Sequence, residues 1–378
     1  MFEISEKIGA GNFLNFIDNA YKCGAGRYIQ EKNAISQLSK EVLRLGSEPM
    51  VIYGPNSHDV ALPLIEQSLT NAKIEYAQSE FCLPSNIDSV EEYSNVCKEK
   101  NCDIVVGVGG GRVLDFAKAV AAKSQAPIIC IPTSAATCSA YTPLSVMYEK
   151  SGKFAGTWRY ENEIDCVIVD DRIMKSQPVR LLAAGILDSI AKMPELLHET
   201  SGLDINKNSF DIQRYVAYRY AEVSNDILFK FGTAAYNQLK GTNDVFDSEI
   251  QDRVIFTNIA LTGIVSSIMK GFHQTALAHK FYDGLRSVYT DKVKEYYHGE
   301  LVAIGLLLQT NFNENKEMHD QIKSLMIDMN MPISLGDLGI DGSDNRIAEL
   351  YDFINIDEFV DKDAISQGKL KNAFESVF

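Results

Sequence analysis

The side chains that could bind a metal ion in this 378-residue chain are few. Among six histidines, His279 lies in a helix-like segment and His298 opens an apolar stretch. Upstream, Asp188 ends the apolar, small-residue segment 183–188, where an unpaired charge would be costly. Two imidazoles and one carboxylate suit Zn²⁺ or Fe²⁺ with one coordination position left open. The residues alone leave this grouping a hypothesis, because isolated histidines are more often structural. The histidines among polar neighbours are predicted to be solvated: His58, His198 and His319.

A glycine-rich loop follows the apolar segment 103–107. Gly109, Gly110 and Gly111 stand between a predicted strand and a predicted helix. Glycine there lets the backbone approach a phosphate, and the helix N-terminus offers free N–H groups. The spacing G-x-G-G-G differs from the Rossmann pattern, and an ordinary tight turn is the alternative. The Ser/Thr-rich loop 132–143 also follows a strand and suits ribose and phosphate contacts, although it equally fits a plain surface loop.

The elements that must position these residues differ between the two halves of the chain. The first half alternates short apolar runs with helical windows, which predicts a parallel sheet covered by helices. The predicted strands are 49–54, 74–77, 103–107, 126–131 and 166–169, with a hairpin over 144–159. Long helices are predicted over 181–199, 213–239, 247–268 and 301–313. We therefore expect an α/β dinucleotide-binding domain over 1–172 and an all-helical metal-binding and catalytic domain over 173–378.

Composition excludes several functional classes. With 36 basic and 51 acidic residues, the formal net charge of −15 argues against a general nucleic-acid binder. Seven cysteines form an odd set without a C-x-x-C pair, which argues against a disulfide framework and favours a reducing cytoplasm. No secretory signal and no run of about 18 apolar residues is visible, so a cytoplasmic protein with no membrane partner is expected.

Several motifs, in the same order, resemble the iron-type (group III) alcohol dehydrogenases and their glycerol dehydrogenase branch. The matching segments are GAGRYIQ (24–30), GVGGGRVLDFAKAVA (107–121), IPTSAAT (131–137), LSVMYEKSGKF (144–154), IVDDRIM (168–174), RLLAAGILDSIAK (180–192) and HGELVAIG (298–305). The resemblance implies the dehydroquinate synthase-like fold of that family. It also implies a metal-dependent, NAD- or NADP-linked oxidoreductase that interconverts a small alcohol and its carbonyl, and homo-oligomers are usual in the family.

The resemblance also assigns roles to residues. It implies that the metal is held by Asp188, His279 and His298. The wider family's fourth ligand is replaced by Lys192, which agrees with the three-ligand branch and points to Zn²⁺ rather than Fe²⁺. The implied cofactor contacts are Gly109, Gly110, Gly111, Arg112, Thr133, Thr142, Leu144 and Tyr148.

Departures from the glycerol dehydrogenase pattern bear on the substrate. Cys138 stands where that branch has an aspartate that contacts substrate hydroxyls, and His273-Gln274 replaces a Gly-Gly pair. These changes favour a 2-hydroxy acid, as in a hydroxycarboxylate dehydrogenase offshoot, over a polyol such as glycerol. Cys138 is then a substrate contact, and His273 is either a proton relay or a residue that only supports the site from behind the substrate contacts. The acidic residue that would grip the adenosine ribose is replaced within 55–57, so NAD and NADP both stay open.

Two other functions fit the same fold less well. A dehydroquinate synthase-like cyclase, which is a lyase, typically has glutamate at position 188 and a G-H-x-x-G-H pair, and both are missing here. A catalytically silent nucleotide-binding relative would need a broken site, whereas all three implied ligand positions carry suitable residues.

Overall fold

A computed structural model describes residues 22–81, 86–152, 154–198, 212–241, 247–269 and 275–378. The chain divides into two compact units between Pro178 and Val179. The strands of the described part all precede this division, and the described residues after it are helices and connections. None of the described helices has the length and apolar character needed to cross a membrane.

The first unit is built on a parallel sheet. Its strands and the adjoining hairpin are β1 (Tyr28–Glu31), β2 (Pro49–Tyr53), β3 (Ala77–Glu80), β4 (Ile104–Gly109), β5 (Ile128–Pro132), β6 (Leu144–Tyr148), β7 (Phe154–Arg159) and β8 (Cys166–Asp170). Six of the described strands form the sheet in the order β1-β8-β5-β4-β2-β3. The antiparallel pair β6-β7 stands apart as the predicted hairpin.

The helices of the first unit follow the strands in the alternation that the sequence predicts. They are α1 (Leu38–Leu45), α2 (Leu62–Asn71), α3 (Ile87–Glu99), α4 (Gly111–Ser124) and α5 (Asp171–Lys175), with 3₁₀ turns at Ala34–Gln37 and Pro55–Ser57. The central strands β4, β5 and β8 are buried along their whole length. Continuous apolar runs are what a parallel sheet covered on both faces requires.

The two edge strands are where the sequence-based prediction was wrong. β1 was not predicted, and β3 lies at Ala77–Glu80 rather than at 74–77. Both have only one neighbour in the sheet, and their residues alternate or remain partly exposed. Ile74 instead closes the turn after α2, where its N–H donates to the carbonyl of Leu69 at 3.0 Å.

The second unit is helical throughout its described part. Its helices are α6 (Val179–Leu196), α7 (Ile212–Lys240), α8 (Ser248–Phe256), α9 (Thr262–Ile268), α10 (Leu277–Val288), α11 (Thr290–Val293), α12 (His298–Phe312), α13 (Lys316–Asp328), α14 (Ile347–Ile354) and α15 (Ala364–Glu375). The predicted continuous helix over 247–268 is interrupted by a π-helical turn at Thr257–Leu261. Helix α6 packs against α7 and α12, and almost all of it beyond Leu181 is buried.

Candidate active site

The three predicted metal ligands lie close together in the second unit. Asp188 lies in the middle of α6, His279 in the first turn of α10, and His298 is the first residue of α12. Asp188 Oδ1 lies 3.3 Å from Nε2 of His279 and 3.5 Å from Nε2 of His298. Potential ligand atoms of the three residues lie within 4.8 Å of one another. The structure therefore brings together the carboxylate and both imidazoles that the sequence suggested.

The Oδ1 atom of Asp188, which faces both imidazoles, is buried and accepts no hydrogen bond from the described residues. Asp188 is only 4% exposed, and among the described residues no donor is aligned on its Oδ1 atom. Burial alone would raise the pKa of Asp188, but the Lys192 charge and the two imidazoles hold it well below the usual carboxyl value. An ionised, buried oxygen that faces two imidazole nitrogens fits a divalent cation by the chemistry of its donors.

Glu195 fixes the orientation of His279. This carboxylate is 2% exposed and lies two helical turns after Asp188, on the same side of α6. Its Oε2 atom lies 2.6 Å from Nδ1 of His279, while Oε1 accepts the backbone N–H groups of Ala276 at 2.7 Å and His279 at 2.9 Å. Because Nδ1 donates to a carboxylate, Nε2 is left with the lone pair that a metal needs.

Glu195 also makes the largest contribution that raises the pKa of His279. Burial lowers the pKa of this imidazole, but the Glu195 charge and the contacts with Asp188 and Glu195 raise it to about 9. The same interactions, with the imidazole charge foremost, hold the pKa of Glu195 below its usual value despite burial. A proton and a divalent cation therefore compete for Nε2, and Glu195 attracts both.

Replacing Glu195 with glutamine is expected to weaken metal binding by about 10–100-fold. A glutamine has one acceptor oxygen for the contacts that two carboxylate oxygens now make. If the glutamine oxygen accepted the backbone N–H groups of Ala276 and His279, its amide NH₂ would donate to Nδ1 of His279. The imidazole proton would then sit on Nε2, the nitrogen that a metal needs without a proton. Competition with a coloured chelator would measure the zinc dissociation constant, with exposed Glu249→Gln on α8 as the control. Equal affinities in the two variants would contradict the role of Glu195.

Two glycines of α12 allow this helix to pack closely against α6 and α10, the helices that carry Asp188 and His279. A Cβ atom at Gly299 would lie 1.9 Å from the carbonyl oxygen of Ala184 on α6. A Cβ at Gly305 would lie 2.4 Å from the carbonyl oxygen of Ala278 on α10. Both contacts are with backbone atoms next to the cluster, which cannot move aside as a flexible side chain could. Glycine at these positions thus brings His298 and His279 to Asp188.

A Gly299→Ala variant is expected to lose about 1–3 kcal/mol of stability and to bind zinc more weakly. The added methyl group must push α12 away from α6, because it meets a carbonyl oxygen. The matched control is Gly368→Ala on α15, where an added Cβ would meet nothing within 4 Å. Alanine is the better helix former, so the control should be neutral or slightly stabilising. Chemical denaturation and zinc titration of both variants test this, and a Gly299→Ala protein as stable as the control would refute it.

An ion pair between Arg180 and Glu300 joins the first turn of α6 to the first turn of α12. Glu300 is buried and accepts from the Arg180 guanidinium, with one of the two contacts at 2.8 Å. Glu300 also accepts the backbone N–H of Tyr297, the N-cap residue ahead of His298, at 2.7 Å. The first turn of α12, and with it His298, is therefore fixed on the Asp188 helix.

His198 is not solvated, which corrects the expectation from its polar neighbours. It is 5% exposed, its Nε2 lies 2.7 Å from the carbonyl oxygen of Phe359, and its Nδ1 lies 3.0 Å from the amide of Gln309. Gln309 Oε1 accepts the N–H of Leu277 at 2.8 Å. Ala276, the N-cap residue of α10, has no side chain that could accept the free N–H groups at the start of this helix. Gln309 and Glu195, which lie on other helices, accept them instead.

The glycine loop lies in the first unit, between β4 and α4. A Cβ atom at Gly107 would lie 2.6 Å from that of Ala117, and one at Gly109 would lie 2.8 Å from that of Val113. These glycines therefore allow α4 to start directly against the end of β4. Gly110 is the N-cap of α4 and makes no side-chain cap hydrogen bond. An uncapped helix N-terminus behind a glycine turn suits an anionic phosphate.

The Ser/Thr loop is adjacent to the glycine loop. The Thr133 N–H donates to the carbonyl oxygen of Gly109 at 3.1 Å, because β4 and β5 pair in parallel up to Gly109 and Pro132. Arg112 is exposed on the first turn of α4, and Thr142 is buried at the end of the loop. Leu144 begins β6, whereas Tyr148 ends that strand, about 13 Å further along at the usual rise per residue.

A buried ion pair on α4 holds this loop, and the sequence reasoning missed it. Lys118 is 2% exposed and its ammonium lies 2.9 Å from Oδ1 of Asp115. It donates to the carbonyl oxygens of Ser139 at 2.7 Å and Thr142 at 3.1 Å, and also to that of Leu144. Asp115 in turn accepts the Ser139 hydroxyl at 2.6 Å. The sequence signal that could have revealed this pair is the presence of Asp115 and Lys118 in an otherwise apolar helix, which is the argument already applied to Asp188.

Two of the predicted substrate residues are not placed at the metal cluster by the described structure. His273 lies outside the described residues. Cys138 is half-buried in the Ser/Thr loop of the first unit, where its carbonyl oxygen accepts the N–H of Tyr141 at 2.9 Å. Their roles stay predictions.

Comparisons with known proteins identify the family. Residues 25–171 match the family model described as iron-containing alcohol dehydrogenase. A glycerol dehydrogenase of Escherichia coli O6:H1 is 30% identical over 319 residues, which is 83% of this chain and 83% of that protein. Hydroxycarboxylate dehydrogenase A of Escherichia coli K12 is 30% identical over 247 residues, 63% of each chain. A crystal structure of glycerol dehydrogenase from Schizosaccharomyces pombe has a TM-score of 0.80 at 22% identity, covering 95% of this chain and 90% of that one.

The chain belongs to the iron-containing alcohol dehydrogenase family. The family and fold class predicted from the motifs are therefore confirmed, with glycerol and hydroxycarboxylate dehydrogenases among the relatives. This dehydrogenase is an oxidoreductase that interconverts a small alcohol and its carbonyl, with the NAD(P) and divalent metal expected for its family. The cyclase alternative receives no support from these relatives.

Proposed function

We propose that this dehydrogenase acts on a polyol such as glycerol or on a 2-hydroxy acid, with Asp188, His279 and His298 as the ligands of its metal. The observation that carries the proposal is the buried Asp188 oxygen, which accepts no hydrogen bond from the described residues and faces two imidazole nitrogens at 3.3 and 3.5 Å. Nitrogen and oxygen donors of this kind suit Zn²⁺ first and Fe²⁺ second.

The protein's own residues prepare the site for alcohol oxidation. A divalent cation held there supplies Lewis acidity toward the substrate oxygen. Asp188 provides the anionic ligand, and its burial keeps water from competing for that charge. Glu195 keeps the lone pair of His279 directed at the site by holding the Nδ1 proton. The Arg180–Glu300 pair and Gly299 fix the position of His298, so the donors are preorganised.

We further propose that the α4 N-terminus binds the dinucleotide pyrophosphate through Gly109, Gly110, Gly111 and Arg112. The uncapped N–H groups and the exposed Arg112 offer donors and positive charge to a phosphate. Thr133, Thr142, Leu144 and Tyr148 are proposed as further contacts, on a loop that Lys118 holds in place. Either NAD or NADP fits these residues.

The proposal is tested by following the near-ultraviolet absorbance of reduced nicotinamide. The zinc-loaded protein would be assayed with NADH and NADPH against aldehydes, ketones and 2-oxo acids, and with the oxidised cofactors against glycerol. We expect zinc-dependent oxidation of a reduced cofactor, and the best substrate then separates a polyol from a hydroxy acid enzyme. No absorbance change across the panel, in protein that retains zinc and binds NAD, would overturn the proposal.

A cytoplasmic homo-oligomer is also proposed, as the sequence suggested. The family resemblance supports the oligomer, and the cysteine composition supports a reducing compartment. Light scattering coupled to gel filtration measures the assembly directly, and a monomer at micromolar concentration would refute it.

A further inference from the structure

The buried ammonium of Lys192 lies beside the proposed metal ligands. It lies one helical turn after Asp188 on α6 and is 5% exposed. Its Nζ lies 3.9 Å from Asp188 Oδ1, the same oxygen that faces the two imidazoles. Long cationic side chains usually place the charged end in water, and here the nearby carboxylate of Asp188 offsets part of the cost of burying the ammonium.

The charges of the buried cluster do not balance once a divalent cation is present. Asp188 and Glu195 contribute two negative charges and Lys192 one positive charge, so the buried side chains carry one net negative charge. A divalent cation between neutral imidazoles changes this to one net positive charge. Asp283 is exposed on α10 and lies one helical turn from the oppositely charged Lys280, so these two groups together add no net charge. A buried site with one surplus positive charge favours an anionic ligand.

We propose that Lys192 binds the carboxylate of the substrate and selects 2-oxo and 2-hydroxy acids over neutral polyols. Its Nζ and both imidazole nitrogens lie within 3.9 Å of one Asp188 oxygen. A substrate whose hydroxyl or carbonyl oxygen was held at the proposed metal site would therefore have its adjacent carboxylate within reach of Lys192. A neutral polyol gains nothing from this ammonium, whereas a carboxylate gains a charge-assisted hydrogen bond. This inference rests on the proposed function, because it takes the same metal site as the place of the substrate oxygen.

The test uses oxamate, an unreactive analogue of a 2-oxo acid, and the zinc-loaded full-length protein. Calorimetry would compare the wild type with Lys192→Met, which keeps the side-chain length and removes the charge. The control is Lys316→Met, an exposed lysine at the start of α13. We expect Lys192→Met to bind oxamate about tenfold to a hundredfold more weakly, with zinc content per chain unchanged and the control like wild type.

Kinetics with pyruvate and with its neutral counterpart hydroxyacetone give a second readout. The Lys192→Met change should lower kcat/KM for pyruvate about tenfold more than kcat/KM for hydroxyacetone, and Lys192→Arg should restore part of the difference. An unchanged oxamate affinity in Lys192→Met would overturn the inference. A variant that no longer retains zinc in excess metal would also overturn it, since Lys192 would then serve the metal site itself.

The failure of this inference can be distinguished from failure of the proposed function. A wild-type protein that oxidises glycerol with NAD⁺ but does not bind oxamate retains the function and refutes the role of Lys192. A wild-type protein that binds oxamate through Lys192 yet turns over no substrate refutes the function and retains the anion site.

Discussion

An Asp188→Ala protein is expected to lose about a thousandfold in kcat/KM. The change removes the anionic one of the three proposed metal ligands, and Lewis-acid stabilisation of a developing alkoxide is worth several kcal/mol. The remaining imidazoles of His279 and His298 would face each other without the carboxylate that now lies 3.3 and 3.5 Å from them. Zinc content, measured by atomic emission after dialysis, should fall together with activity.

Two further variants separate loss of chemistry from loss of fold. Asp188→Asn keeps the volume of the buried side chain, and circular dichroism should show the native helix content in both Asp188 variants. Asp226→Ala, at an exposed aspartate on α7, is the matched control and should keep full activity. An Asp188→Ala enzyme with a near-normal rate would refute the assignment of this residue to the metal.

A Lys118→Met protein is expected to be destabilised by about 3–5 kcal/mol, because the change leaves the buried carboxylate of Asp115 without its cation. It also removes the donor to the carbonyl groups of Ser139, Thr142 and Leu144. Since this ammonium holds the Ser/Thr loop, NAD(P) affinity should fall as well. Urea denaturation measures the stability change, and fluorescence titration measures the cofactor dissociation constant.

Lys123→Met on the same helix provides the control. Lys123 makes an ion pair with Glu91 at 3.1 Å at the surface, where such pairs contribute about 0–1 kcal/mol. The zinc content of Lys118→Met should stay at the wild-type level, since the three proposed metal ligands all lie in the second unit. If the two lysine variants had equal urea midpoints, Lys118 would not be the residue that holds the loop.

Much of the fold and part of the site follow from local sequence. The central strands β4, β5 and β8 were predicted because strands buried on both faces must be continuously apolar. The glycine loop was found because consecutive glycines have few other uses between a strand and a helix. Asp188 stood out because a carboxylate in an apolar helix needs a cation, and the three-dimensional structure places two imidazoles beside it.

What only the tertiary structure decided lies in contacts between segments distant in the chain. The edge strands β1 and β3 have no continuous apolar run in the sequence. Each pairs with only one strand and remains partly exposed, so its residues need not all be apolar. The significance of Gly299 depends on the Ala184 carbonyl, which is 115 positions earlier, and that of Glu195 on the Nδ1 atom of His279. Helical periodicity reports which face of a helix is buried, but not which helix covers it or at what distance. The packing of α6, α10 and α12 therefore determined how the three proposed metal ligands, Glu195 and Lys192 come together.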